Sequence, residues 1–536
     1  MKTLVRLTLS ILLALLVIPR ESSAQPAPPT PSPPADNTGQ PPTPPLASPP
    51  SEPVSTPPAE TAAQPPPAAP ATATPAKSDP TTARGVEWTS LRLLREKGMI
   101  SEAEYASALK DLGGIGGSAD PTTLVVSKFK VSLFGFAQAD LEWDSTQSCQ
   151  EYCSNFPIQK AGSYKGDHNR AVFSPRDSRL GIRFAPPEEH GIRQSGLLEM
   201  DFFGPITTSE QGTWTNPVLR IRHAYYKLET PVVDIQVGQT GNLFGWASNY
   251  LVTGAQEPGL PGQMYQRTPQ IRVSKVIRTD AVIAELAVAA ERPPQMDSGL
   301  PEGVAGVRLQ FPGWVGLHTL YLTTPLVQPA SIAVTGDLRG FRISEFSAAP
   351  KVAHARTGGG VAIDAFLPIV PATQASHDNA FALTGELTIG SGTSDMYTAL
   401  STASPGNPPL PPAMPGGPAG TYAPNFDAGF AAYDATGHVE LIQWTSYMVG
   451  AEYYPPGLDG RLGLFASYGH MQSSNASKFG DPTKTRDHED FFGSGLYFNP
   501  TKQTRVGLDF GFYGDHYADG TSANNYSILT SSWLFF

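Results

Sequence analysis

The sequence predicts an all-β protein: a 16-stranded antiparallel transmembrane β-barrel, with eighteen strands as the alternative. A Pro-rich disordered linker and a short helical hairpin precede it. Three observations carry this reading. From Lys128 onward, segments of about ten residues alternate apolar and polar side chains with period two, as strands do when one face meets lipid and the other a polar interior. The connections between these segments alternate between tight and long. The sequence ends Trp533-Leu534-Phe535-Phe536, an aromatic end inside a strand pattern. That end suits a last strand that must pair with the first so that no edge faces lipid.

The elements follow in chain order. Lys2 and Arg6 precede an apolar run, Leu9 to Ile18, and Ser22-Ser23-Ala24 supplies small residues for cleavage, so residues 1–24 read as a signal peptide. No later run of about 18 apolar residues provides a transmembrane helix. Residues 25–84 are rich in Pro, Ala and Thr, with Pro-Pro pairs from Pro28-Pro29 to Pro65-Pro66-Pro67. Such a segment cannot bury a core and favours polyproline II, at about 3.1 Å per residue, as a periplasmic tether. Over 85–114, Trp88, Leu91 and Leu94 have helical spacing. A capping box, Ser101 with Glu104, opens a second helix that ends at Gly113-Gly114.

The barrel pattern occupies 128–536. Its strands start near 131, 178, 195, 218, 232, 269, 281, 303, 314, 359, 380, 444, 461, 491, 504 and 526. Tight turns are expected at Pro186-Pro187, Glu229-Thr230-Pro231, Thr279-Asp280, Pro312-Gly313, Pro455-Pro456-Gly457 and Asn499-Pro500. Long outer stretches are expected at 144–174, 241–267, 325–356, 391–441, 472–489 and 514–524. Within 325–356, Gly336 to Phe346 is the place where a further strand would raise the count to eighteen.

Composition agrees with a membrane barrel. Charged residues make up 16%, well below the roughly 25% of soluble domains, and aromatic residues 10%. Mean hydropathy is only −0.20, as expected when lipid-facing and interior residues alternate. The net charge of −11 argues against nucleic acid as a partner. Cys149 and Cys153, the two cysteines, sit in a polar stretch and read as a local disulfide in an exported protein, with free thiols or a metal site (His168 nearby) as alternatives.

Function is carried by charges at interior positions. Arg179 and Arg183, Glu199 and Asp201, Arg220 and Arg222, then Arg272 and Arg308 fall on the polar side of successive strands. Facing lipid, each Arg would cost about 2–4 kcal/mol at the midplane. Salt bridges that brace the wall account for part of the set, and an excess of Arg would favour anions. The stretch 241–267 holds Leu243, Phe244, Trp246, Tyr250, Met264 and Tyr265, too apolar to float in water. It reads as a loop folded into the lumen, with Glu257 its acid and Arg267 closing it; packing at a subunit interface is the competing account.

The segments Ser178-Arg179-Leu180-Gly181-Ile182-Arg183-Phe184, Leu198-Glu199-Met200-Asp201-Phe202-Phe203-Gly204, Leu219-Arg220-Ile221-Arg222-His223-Ala224-Tyr225 and Val237-Gly238-Gln239-Thr240 resemble the DcaP-like family of outer-membrane porins. The likeness is good over about 128–320 and looser beyond. It implies a homotrimeric 16-stranded porin in the outer-membrane lipid, an inward loop after the fifth strand, and passive diffusion of small anionic solutes such as carboxylates. Where that family carries an N-terminal coiled coil, this sequence has the Pro-rich tether and helical hairpin. The terminal Phe536 is of the kind that the barrel assembly machinery reads.

Enzyme readings have little support. Asp509-Phe510-Gly511 lies in a strand pattern without a kinase glycine loop, His488-Glu489-Asp490 lacks the second His of a zinc helix, and no G-x-S-x-G elbow occurs. Neither a cofactor nor a metal is expected. His223 and His318 read as girdle or loop residues. The reading from another class is a non-conducting structural or adhesive barrel, tethered toward the cell wall by its Pro-rich segment.

Overall fold

The computed structural model describes residues 123–126, 129–149, 157–204, 218–246, 249–250, 260–292, 299–319, 326–344, 351–373, 376–400, 430–433, 439–479 and 482–536. The signal peptide, the linker 25–84 and the hairpin 85–114 expected from sequence lie outside them. Sixteen staves make up the barrel, with a small hairpin, Ala431–Tyr433 and Val439–Leu441, apart from it. The staves are β1 Phe129–Asp144, β2 in two halves (Arg170–Ser174 and Arg179–Ala185), β3 Arg193–Asp201, β4 Arg220–Glu229, β5 Asp234–Gly241, β6 Arg267–Arg278, β7 Ile283–Glu291 and β8 Glu302–His318. The second half comprises β9 Leu326–Ser344, β10 Ala353–Val370, β11 Ala380–Ser391, β12 Gln443–Tyr454, β13 Leu462–Ser473, β14 Arg486–Phe498, β15 Thr504–Tyr517 and β16 Ser522–Phe535. Each pairs antiparallel with its neighbours, and β16 returns to β1 with Phe535 opposite Phe136 and Ser527 opposite Asp144. The sheet is a closed barrel without a free long edge.

Alternation decides which face each side chain takes. On β11, Ile389 is 58% exposed and its neighbour Thr388 is 0% exposed. On β16, Tyr526, Ile528 and Leu534 are exposed while Asn525, Ser527 and Ser531 are buried. The exposed rows form an apolar belt that includes Leu133, Ile221, Ile271, Val288, Ile363, Val449 and Leu508. A water-facing surface would leave this belt unpartnered, so the barrel spans a membrane with strands. Among the described residues no helix is long and apolar enough to cross one.

The break in β2 is repaired by a side chain. Its halves lie along Asp140–Asp144 and Lys130–Phe136 of β1. At the gap, the Ser178 hydroxyl accepts from Gln138 N (2.9 Å) and donates to Gln138 O (3.2 Å), so neither backbone group is stranded. Closure ends similarly. Gly135 N donates to Phe536 O and Phe536 N to Gly135 O, both at 3.0 Å. The short strand Thr123–Val126 then pairs with Phe129–Ser132. Arg183–Ala185 of β2 already hold the other edge of β1 there, so Thr123–Val126 continues the edge that β16 leaves.

Several sequence expectations change. Pro312-Gly313 is not a turn: Glu302–His318 is one strand with a register shift between Phe311 and Val315. The stretch 325–356 is not a loop but mostly β9, a single strand that takes the place of the one expected at 314; Gly336 to Ser344 belong to it, and the barrel has sixteen staves rather than eighteen. The connection after β15 is tight, with Tyr517 N donating to Thr521 O at 2.9 Å. Turn chemistry misled at Pro312 because a bulge, like a turn, tolerates a residue without an N–H.

The seam yields a prediction. A Cβ on Gly135 would lie 2.3 Å from the Arg179 carbonyl oxygen and 2.8 Å from the Phe536 ring. Gly135→Val should therefore destabilise the folded barrel by about 1–3 kcal/mol through overpacking. The heat-modifiable shift of the folded band on gels reads this as a lower transition temperature; an unchanged transition would show that the seam absorbs the side chain freely.

Candidate functional site

The interior is built first by the loop after β5. Its apolar side chains fold onto the inner wall: Leu243, Phe244, Trp246, Tyr250 and Met264 join one buried cluster with Ala287, Ala333, Ala362 and Phe366. Its polar backbone is met by wall side chains. Leu243 N donates to Glu291 Oε1 (2.8 Å), Gly245 N to Thr335 Oγ1 (2.9 Å) and Met264 N to Glu386 Oε1 (2.8 Å). The Tyr250 hydroxyl donates to Ser331 Oγ at 3.0 Å, and burial pushes its phenol up to about 12. Gly245 has φ +68° and a Cβ there would press on Met264, so the turn needs a residue that tolerates the left-handed region. The described residues of the loop, 242–246, 249–250 and 260–266, thus lie against β7–β12. Glu257 lies outside the described residues.

Arg179, Arg183, Arg220, Arg222, Arg272 and Arg308 alternate with exposed apolar neighbours on β2, β4, β6 and β8, and together with Arg267 they form two groups. The first group is paired. Asp201, 0% exposed, accepts from Arg220 Nε (3.0 Å) and Nη2 (2.7 Å) and from Arg222 Nη1 (2.6 Å). Glu199 lies 3.2 Å from Arg222 and 3.7 Å from Arg179, which also reaches Asp177 at 3.3 Å. Arg308 pairs with Glu285 at 2.6 Å and stacks over Trp246. These residues brace the wall.

The second group is Arg183, Arg267 and Arg272. Arg183 is exposed and stands 3.9 Å over the Phe134 ring. Arg267 donates to the Tyr265 hydroxyl. Arg272 donates to Gln270 Oε1 (2.9 Å) and to the Gly241 carbonyl (2.8 Å). None of the three is in an ion pair among the described residues. Each of these guanidiniums therefore keeps a charge that no carboxylate among the described residues pairs with directly.

Sequence reasoning missed three features of this interior. A register shift between Glu199 and Met200 sets Arg222 and His223 on the same side, as a bulge does, and His223 contacts Thr240 at 3.0 Å. His318 is buried rather than in a girdle, with Nδ1 2.6 Å from Glu452. The excess of arginine is confined to β2–β8; Asp140, Glu142 and Asp144, then Asp364, Glu386, Asp509 and Asp515, are buried interior acids on the other staves. Cys149 is disulfide-bonded, and Cys153, the other cysteine of the sequence, lies outside the described residues.

No family model matches the chain, and no curated protein matches it in sequence. Solved structures do match. The outer membrane channel DcaP of Acinetobacter baumannii aligns with TM-score 0.55 at 17% identity, over 76% of this chain and 98% of that one. An anion-selective porin from Comamonas acidovorans aligns with TM-score 0.43 at 11% identity (76% and 100%). Salmonella typhi OmpF in complex with daunomycin aligns with TM-score 0.44 at 10% identity (77% and 100%). At these identities the first likeness establishes a shared barrel fold.

The two-arginine clamp on Asp201 makes an asymmetric prediction. Asp201→Asn takes the carboxylate from both Arg220, one third exposed, and buried Arg222, which keeps only Glu199, and should cost about 3 kcal/mol, whereas Arg220→Ala leaves Asp201 its Arg222 partner and should cost less. Thermal unfolding in detergent checks the order; equal losses would mean that the clamp contributes nothing beyond side-chain packing.

Proposed function

We propose that this chain is an outer-membrane porin through which small hydrophilic, mainly anionic solutes diffuse passively. The observation that carries the reading is the set Arg183 on β2 and Arg267 and Arg272 on β6, three inward guanidiniums without a carboxylate partner among the described residues. Unpaired cations lining a water-filled lumen attract anions and repel cations. Loop 242–266 narrows the passage and brings solutes close to them. Diffusion down a gradient needs no catalytic group, cofactor or metal. The sharing of a barrel fold with DcaP, an outer membrane channel, agrees with this assignment.

The same reading places the barrel in the outer membrane as a homotrimer, with the Pro-rich segment and helical hairpin on the periplasmic side. Phe536, 52% exposed at the barrel rim, is available to the assembly machinery. A second reading, a non-conducting structural barrel, is favoured by one observation: inward residues on β9–β16 are mostly buried, down to Thr388, Asp515 and Ser527 at 0% exposure.

Liposome swelling separates the two. Refolded protein should admit a small anionic solute several-fold faster than a cationic one of equal size, and Arg183→Ser with Arg267→Ser and Arg272→Ser should abolish that advantage while neutral solutes still pass. Because Arg179 and Arg220 are paired, their replacement should change selectivity less. Liposomes that never swell, with the protein folded, support the structural barrel.

A further inference from the structure

Residues 242–246 and 260–266 of the loop are not alone on the inner wall. At Met264 the loop meets the segment 392–400, which leaves the wall at the end of β11. Tyr265 N donates to Met396 O (3.0 Å), Thr398 N to Gln263 O (2.9 Å) and Gly262 N to Thr398 O (3.1 Å). Met264 and Tyr397 thereby form an antiparallel bridge. Every residue from 392 to 400 is buried, and Met396, Tyr397 and Leu400 belong to the apolar cluster that holds Leu243, Phe244 and Trp246. The Tyr397 hydroxyl accepts from Thr388 Oγ1 at 3.1 Å, a residue of the inner wall. Gly392 makes the inward bend possible with φ +71°, a conformation that other residues rarely take.

A buried arginine latches this segment. Arg339 on β9 is 1% exposed. It donates to both Glu302 oxygens (2.8 Å each), and its Nε stands 3.4 Å from Asp337, so part of its shell is wall. The rest is the segment: Asp395 Oδ1 at 2.5 Å and the Gly392 carbonyl at 3.1 Å. A guanidinium taken out of water is costly unless its charge is compensated, and here Nη1 finds its acceptors only with 392–400 inside. Arg486 repeats the device, pairing with Glu489 and Asp515 on the wall (2.7 Å each) and donating to the Ala399 carbonyl.

We infer that 392–400 is a second constriction element, joined to residues 262–265 of the loop after β5 as one unit, with Asp395 on Arg339 as its positioning contact. The inference rests on the porin reading for its consequence, which is the size of the passage. Neither the expected outer position of 391–441 nor the inward loop after β5 contains it.

The test uses the full-length refolded protein with Asp395→Ala and Asp395→Glu, the latter keeping the carboxylate. Unit conductance and the largest polyethylene glycol that enters the pore are measured in planar bilayers. Asp395→Ala should raise unit conductance about 1.5-fold or more, as expected when a constriction widens, and admit larger polymers, while Asp395→Glu keeps both near wild type. If Asp395→Ala does not fold, Thr398→Pro, which removes the N–H given to Gln263, asks the same question. Wild-type conductance and polymer cut-off in these variants would overturn the inference. If wild type itself is silent, the porin reading fails, and chymotrypsin then decides the latch. Tyr397 protected in wild type but cut in Asp395→Ala supports it; equal cleavage overturns it.

Discussion

Every feature of this molecule depends on one requirement: no backbone N–H or C=O can face hydrocarbon unpaired. A sheet meets it only by closing on itself, so the pairing of β16 with β1 is the contact from which the rest follows. The chain protects it with detail at the seam. Ser178 fills the break in β2, Phe536 extends the ladder to Gly135, and Thr123–Val126 occupies the edge below. Closure also fixes the sides. Once Leu, Ile, Val and Phe rows must face lipid, every alternate residue faces inward, and each charge there must find water or a partner.

The interior answers that demand by sector. On β2–β8 arginines dominate, some braced by Asp201, Glu199 and Glu285, three without a carboxylate partner among the described residues. On β7–β12 the wall acids are used instead as acceptors for inserted backbone, Glu291 for Leu243 and Glu386 for Met264. The acids that would oppose the arginines are thus partly consumed by the loop that narrows the space. An acidic protein overall can in this way present a positive passage, because net charge and local field are set by different residues.

The closed barrel was legible because alternation is a local signal that survives averaging over a whole stave. β16 and the segment from Ser178 to Phe184 show it directly, and the inward Arg positions follow from the same period. Strand boundaries were less legible. Pro312 and Gly313 have turn chemistry but sit at a bulge, and β9 carries Gly336 and Gly340 where β-branched residues would have announced it. The two mistakes offset in the strand count. The place of 392–400 and the burial of His318 could not be seen, since their partners, Gln263 and Glu452, lie more than 130 residues away. The division of arginines into paired and unpaired depended on the shift at Glu199, which no period reveals.

The most direct measurement is single-channel recording of refolded protein in a planar bilayer under a salt gradient. An anion-leaning trimeric porin gives discrete conductance steps, grouped in threes, with a reversal potential on the anion side. A silent bilayer from correctly folded protein, or a reversal potential on the cation side, would contradict it.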